Sequence, residues 1–304
     1  MTTSSGLNVL ERGLHKLFFL TYDNLGNQFE TIFNVEGSDK QTETDQVMSG
    51  FGLFGTKAEG APLTFDGAQS AWNKVYTHDE YQNGFAVTEV AMEDELYGFI
   101  KRLPVSLARA AAYTREVRAM DLFNSLASTV YTAGGSNYVL LRTGASTSNT
   151  HFRVDGGLFG NSPASPVDLD IAALEAALAQ WRTGMVDQRG FKSDVQPEIL
   201  LVGPTDEMIA HRTINSMLQP GTNDNDVNAV RVRRNLRVMV SDFMTDDGRW
   251  FLLAPKARTG MQYFNRVPVS FRKFDDNLTG NMNHTCRYRV SSGATHVTGI
   301  FGST

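Results

Sequence analysis

Apolar and polar positions follow three different rhythms along this chain. Over 92–128 a 3–4 spacing places Leu96, Ile100, Leu103, Leu107, Ala110 and Val117 on one stripe, which predicts the longest helix of the molecule. Glu93, Asp94 and Glu95 stand at its N-terminal end, where carboxylates are favoured, and Pro104 predicts a kink or a restart. A helix of about 35 residues would span about 50 Å, more than the width of a small domain. A second stripe (Ile171, Leu174, Leu178, Trp181) predicts an amphipathic helix over 168–183, with Gly184 beyond its end. Thr205 is placed to cap a third helix, carrying Asp206 and Glu207 in its first turn and running to about residue 218.

The second rhythm has a period of two. Phe85, Val87 and Val90 predict a strand entering the long helix, and Leu236, Val238 and Val240 predict another. Short apolar runs at 199–202 and 250–254 read as buried strands, the second preceded by an Asp247-Gly248 turn. Alternation returns at Val267, Val269 and Phe271, then over 286–290 and 296–301, while 130–166 reads as loops and short strands. The third rhythm is broken by glycine. Gly50, Gly52, Gly55, Gly60 and Gly67 recur among Phe51, Phe54, Phe65, Trp72 and Tyr76, around a turn-like Glu59-Gly60-Ala61-Pro62. This predicts a long hairpin unable to build a core of its own, and such excursions are usually functional. Upstream, Leu14, Leu17, Phe18, Phe19, Leu20 and Tyr22 form an apolar patch followed by a polar, acidic stretch at 36–45. The patch reads either as an extended arm docking on a neighbouring subunit or as a first strand or helix of the core. Together the patterns predict an α+β protein of two domains, whose first and last segments share one of them.

Composition narrows the chemistry by exclusion. With 304 residues, 41% hydrophobic and 20% charged, the chain can bury a large core. Its 28 basic and 33 acidic side chains give a net charge of −5, which argues against a chain-wide phosphate-binding role. A single cysteine, Cys286, excludes an intrachain disulfide framework. No basic-then-apolar leader opens the sequence and no run is long and apolar enough to span a bilayer, so neither secretion nor a membrane is expected. Gly50-Phe51-Gly52-Leu53-Phe54-Gly55 fits G-x-G-x-x-G, yet polar residues precede it and Pro62 follows where a helix should continue. The six histidines lack metal-ligand spacing, and Asn223-Asp224-Asn225-Asp226 lacks the glycine and glutamate of a calcium loop. No nucleophile elbow occurs, and two sequons, at Asn277 and Asn283, carry no weight without a leader. Arg231, Arg233, Arg234 and Arg237 form the densest basic cluster, with Arg231, Arg233 and Arg237 on one parity of an expected strand. That cluster suits an anionic partner, an inter-subunit salt-bridge network or a solvated face. No catalytic residue, cofactor or metal is expected.

The order of elements is itself a signal: docking arm, long hairpin, strand, long helix, compact α/β unit, terminal β segments. It resembles the major capsid proteins of tailed bacteriophages, the Hong Kong 97-type fold. Phe85-Ala86-Val87-Thr88-Glu89-Val90-Ala91-Met92-Glu93-Asp94-Glu95 is similar to that family's strand entering the acidic start of its spine helix. Pro197-Glu198-Ile199-Leu200-Leu201-Val202-Gly203-Pro204 resembles its axial-domain strand and the proline-started helix after it. The segment from Arg289 through Ser291, Gly293 and His296 to Phe301 resembles its closing peripheral strand. The resemblance covers roughly 45–304 and rests on the conjunction of these motifs in order.

It implies an N-terminal arm at 1–44, an E-loop at 45–77, a peripheral domain at 78–166 with its spine helix at 92–128, an axial domain at 167–255 and a peripheral return at 256–304. It further implies a structural protein, not an enzyme, that self-assembles through hexamers and pentamers into an icosahedral head around double-stranded DNA. Portal, scaffolding and decoration proteins are the implied partners, with scaffolding supplied separately because the family's N-terminal extension is missing. Some relatives cross-link an E-loop lysine to a peripheral asparagine beside a buried glutamate. Lys57 and Asn281 sit at the matching places, but Cys286-Arg287-Tyr288-Arg289 stands where the glutamate is expected, so a non-covalent shell is expected. The candidate subunit contacts are Phe51, Phe54, Lys57 and Phe65 on the hairpin, Phe18 and Phe19 on the arm, and Arg231, Arg233 and Arg237. Two other readings remain: an encapsulin-type compartment shell, and a soluble α/β enzyme built on 168–254.

Overall fold

The computed structural model describes residues 3–88, 90–91, 94, 97–126, 128–218, 227–233, 236–275 and 280–303, and the side chains of all of these except 3–10, 97, 232 and 233. The expected helix-start residues Glu93, Glu95 and Leu96, the loop 219–226, Arg234 and Asn277 lie outside the described residues.

Leu14, Phe18 and Tyr22 recur at every fourth position, one face of a helix, and the chain begins with helix α1 (Thr3–Asn24). Leu14 and Phe18 are buried, and Phe18 stacks on Phe271 at 4.8 Å and on Tyr22 at 6.2 Å. The extended-arm reading of this patch is therefore corrected: it is a helix that closes on the chain's own core. A 3₁₀ turn (Phe29–Thr31) then leads to β1 (Asn34–Gly37) and β2 (Thr42–Met48). β3 (Ser70–Thr77) returns antiparallel to β2, and β4 (Asp79–Val87) follows after the single residue His78. Val90, expected in this strand, lies beyond its end and is exposed.

The long helix is shorter than its periodicity suggested. A four-residue helix, α2 (Tyr97–Ile100), precedes α3 (Arg102–Asn124), whose 23 residues span about 34 Å. Pro104 sits in the first turn of α3, where its missing N–H costs nothing, so the proline marks a restart rather than a kink. Pro104, Leu107, Ala108, Ala111, Ala112, Arg115, Ala119 and Phe123 keep the 3–4 spacing on its buried face.

β5 (Tyr131–Ala133) and β6 (Ser136–Tyr138) complete a four-stranded sheet in the order β2-β3-β5-β6. Helix α4 (Ile171–Gly184) begins where the Asp170 carboxylate accepts the Ala173 amide at 2.5 Å. β7 (Ile199–Val202) is buried along its whole length, which is why it reads as an unbroken apolar run. Thr205 does not cap the next helix. It lies in a 3₁₀ turn (Pro204–Asp206), its hydroxyl bonded to Asp247 at 3.0 Å, and helix α5 (Glu207–Asn215) starts after it. A short helix α6 (Ala229–Arg233) leads into β8 (Arg237–Val240), parallel to β7. β9 (Trp250–Leu253) follows the Asp247-Gly248 turn, where Gly248 adopts φ +80.

β10 (Met261–Asp275) and β11 (Met282–Ala294) form a long antiparallel ladder, and β12 (Ile300–Ser303) ends the described chain. β10 and β11 are the centre of a sheet ordered β1-β10-β11-β4, while β12-β9-β7-β8 is the sheet of the α/β unit. One face of the β10–β11 ladder meets α3 and α1. There the Arg115 guanidinium donates to the Tyr22 and Tyr263 hydroxyls and lies 5.3 Å from the Phe29 ring centroid. Glu116 is buried beside it and accepts the backbone amides of Gln28 at 2.5 Å and Phe29 at 3.2 Å. These contacts lock the chain after α1 to α3. Burial raises the Glu116 pKa, against the opposing pull of those two amides.

Candidate assembly surface

The hairpin between β2 and β3 is docked at its base and exposed beyond it. Its stem is docked: Trp72 and Tyr76 are buried, the Trp72 indole donates to the Phe152 carbonyl at 2.9 Å, and Tyr76 bonds Thr295 at 2.9 Å. Thr295 in turn donates to Asp45 on the outgoing strand at 2.7 Å. The last rung joins the Ser49 amide to the Gln69 carbonyl at 2.8 Å. Beyond it, 50–69 carry no regular secondary structure, and the reversal uses Gly60 at φ +78.

On this segment the apolar side chains face solvent. Phe51 is 61% exposed, Leu53 86%, Phe54 98%, Leu63 64% and Phe65 89%. Lys57 is exposed among them. Isolated exposed hydrophobics are ordinary, but here five large ones cluster on one segment that has no core of its own. The G-x-G-x-x-G match lies on this outgoing leg, and no helix follows it, so the fingerprint's phosphate-facing helix terminus is missing.

At the neck of the hairpin a single side chain holds both legs. Arg189 donates from Nε to the Gly50 carbonyl at 3.1 Å, and from Nη2 to the Gly67 carbonyl at 2.7 Å and to Asp66 at 3.2 Å. Asp66 accepts the Gly52 amide at 2.6 Å and the Gly67 amide at 2.8 Å. The Gly52 amide foremost, with Gly67 and Arg189, holds the Asp66 carboxyl below its usual range. Neither Arg189 nor Asp66 stood out in the sequence.

The other expected contacts are dispersed. Phe18 is fully buried inside its own chain and is withdrawn as a contact candidate, and Phe19 is half-buried against the same cluster. Arg231 and Arg233 lie on helix α6, not on a strand, so the parity that grouped them with Arg237 does not apply. Arg231 and Arg237 are exposed. Asn281 is half-buried at the entrance to β11, and that strand carries no carboxylate. Cys286 is buried, with its thiol pushed up to about 11 by desolvation. Among the described residues no group of His, Cys, Asp or Glu could hold a metal ion, and no helix is long and apolar enough to cross a membrane.

A family model described as phage capsid protein matches residues 73–299, about three-quarters of the chain. The chain belongs to the phage capsid protein family. Its architecture is the Hong Kong 97-type capsid fold, shared with solved structures of very low sequence identity. A Microbacterium phage Oxtober96 structure aligns at 10% identity with a TM-score of 0.57, covering 92% of this chain and 91% of that one. The capsid of a native GTA particle aligns at 13% identity and 0.57, covering 91% and 90%. A virus-like particle from Pyrococcus furiosus aligns at 8% identity and 0.57, covering 96% and 97%. Among curated proteins, no relative matches this capsid protein. Family membership implies a structural, non-enzymatic role in the capsid of a virion.

Proposed function

We propose that this capsid protein is the repeating subunit of a closed icosahedral head, assembling through hexamers and pentamers and enclosing double-stranded DNA. The observation that carries the proposal is the hairpin, whose five exposed apolar side chains have no cover in their own chain. In this reading 45–77 is the E-loop, laid over the spine helix and peripheral domain of a neighbour. The axial unit, 167–255, surrounds the capsomer axis, with Arg231 and Arg237 available for salt bridges there. Each contact can be modest, because closed symmetry repeats it many times. Portal, scaffolding and decoration proteins complete the assembly. The shell is non-covalent: without a carboxylate in β11, nothing there takes a proton from Lys57 as it attacks Asn281.

A second reading, an encapsulin-type compartment, draws support from the Pyrococcus furiosus virus-like particle. That match leaves only about a dozen residues uncovered, so it reaches into α1 and the hairpin alike. Electron microscopy of particles from the producing bacterium, with a nuclease-protection assay, separates the two. Closed shells with protected DNA support the first reading and closed shells holding protein alone support the second. Compact dimers overturn both.

A further inference from the structure

Phe51, Leu53, Phe54, Leu63 and Phe65 lie exposed on the tip of the hairpin, and a tip that meets a neighbour must have its direction set. Its stem is fixed by buried Trp72 and Tyr76, but the tip begins beyond Ser49 and Gln69, where strand pairing has ended. Between the two stands the Arg189 guanidinium, bonded at once to the outgoing leg at Gly50 and to the return leg at Asp66 and Gly67. Asp66 reaches across to the Gly52 amide and closes the ring. Past this ring, residues 53 to 60 are all exposed.

Arg189 is itself held. The Asp187 carboxylate accepts the amides of Arg189 at 2.9 Å and Phe191 at 2.8 Å, and Gly190 turns the chain with φ +82. This turn follows α4 and belongs to the α/β unit, so one planar fork ties that unit to the base of the tip. We infer that Arg189 is a positioning residue, which fixes the direction of the hairpin tip by clamping both of its legs to the α/β unit. The inference rests on the reading of the hairpin as an assembly element, and its consequence is that the α/β unit and the tip move together.

The chemistry of the clamp makes it testable. Its acceptors are two carbonyls and a carboxylate spread over both legs, reached from Nε and Nη2 of a rigid planar fork, whereas an ammonium offers its donors from a single point on a flexible stem. Spin labels placed through Lys57→Cys on the tip and Ser106→Cys on the exposed side of α3 report the tip's direction in the unassembled chain. Cys286 is buried and stays unlabelled. Pulsed electron–electron double resonance should give one narrow distance distribution in this background. Adding Arg189→Ala or Arg189→Lys should broaden it, with the thermal midpoint little changed, since a surface network contributes little to global stability. If Arg189→Ala does not fold, Asp66→Asn, which alters only a half-exposed side chain, should broaden it in the same direction. A distribution that stays narrow in the folded variants overturns the clamp. Shells from unlabelled Arg189→Ala chains then address the underlying reading. A loss of uniform closed particles supports it, whereas normal particles from a chain with a loosened tip overturn the hairpin's role in assembly and leave the clamp standing.

Discussion

Replacing Phe54 and Phe65 together by serine separates folding from assembly. Both rings are almost wholly in solvent in the isolated chain, so neither has own-chain burial to lose. The doubly substituted chain should therefore keep its stability within about 0.5 kcal/mol, as exposed substitutions do. At a subunit contact the balance reverses. Full burial of a phenyl side chain contributes about 2 kcal/mol, so two rings contribute about 4 kcal/mol per contact. Losing them weakens each contact about a thousand-fold, and a shell repeats that loss at every hairpin. Sedimentation velocity across a concentration series should show large particles for the parent chain and only small species for the variant. Urea unfolding of the two, compared under conditions that keep both unassembled, should coincide. A variant that closes shells at the parent's concentration would show that these rings do not carry the contact, and an unfolding midpoint lowered by more than that small amount would show that they pack within their own chain.

The remaining predictions concern the body. Glu116→Ala orphans two backbone amides beside a buried Arg115, and should cost about 2–4 kcal/mol in urea unfolding, with Glu116→Gln costing less because its carbonyl still accepts. His151 and His296 are each depressed to about 4, chiefly by burial. The unfolded chain binds their protons first, near pH 6.5, so their contribution is complete above that pH and lost as pH falls toward 4. Each can remove up to about 3 kcal/mol, and urea midpoints should fall between pH 7 and pH 4.5; a flat profile contradicts this. Cys286, buried and with a raised pKa, should resist a thiol reagent in the native chain and react at once in urea.

Elements whose neighbours lie close in sequence, or whose burial is complete, could be read from the residues alone. Ile199–Val202 is apolar at every position because both faces of its sheet are covered, and Asp247-Gly248 names its own turn. The hairpin was legible for the opposite reason: glycines and scattered aromatics deny it a core. Phe18 was harder, because the ring that covers it, Phe271, lies near the other end of the chain, so an apolar patch could equally dock elsewhere. Arg231 and Arg233 misled because a five-residue helix is too short to display a period. Arg189 left no trace for the same reason as Phe18. Its partners, Gly50, Asp66 and Gly67, are remote in sequence, and hydrogen bonds to backbone carbonyls impose no residue type on the acceptor.

If the hairpin lies on a neighbour's surface, a cryo-electron microscopy reconstruction of the assembled particle will show it there. Phe51, Phe54 and Phe65 of each subunit should be ordered and buried against an adjacent subunit's long helix and sheet. A map in which these side chains fold back onto their own chain, or remain in solvent while the shell closes through other surfaces, contradicts it.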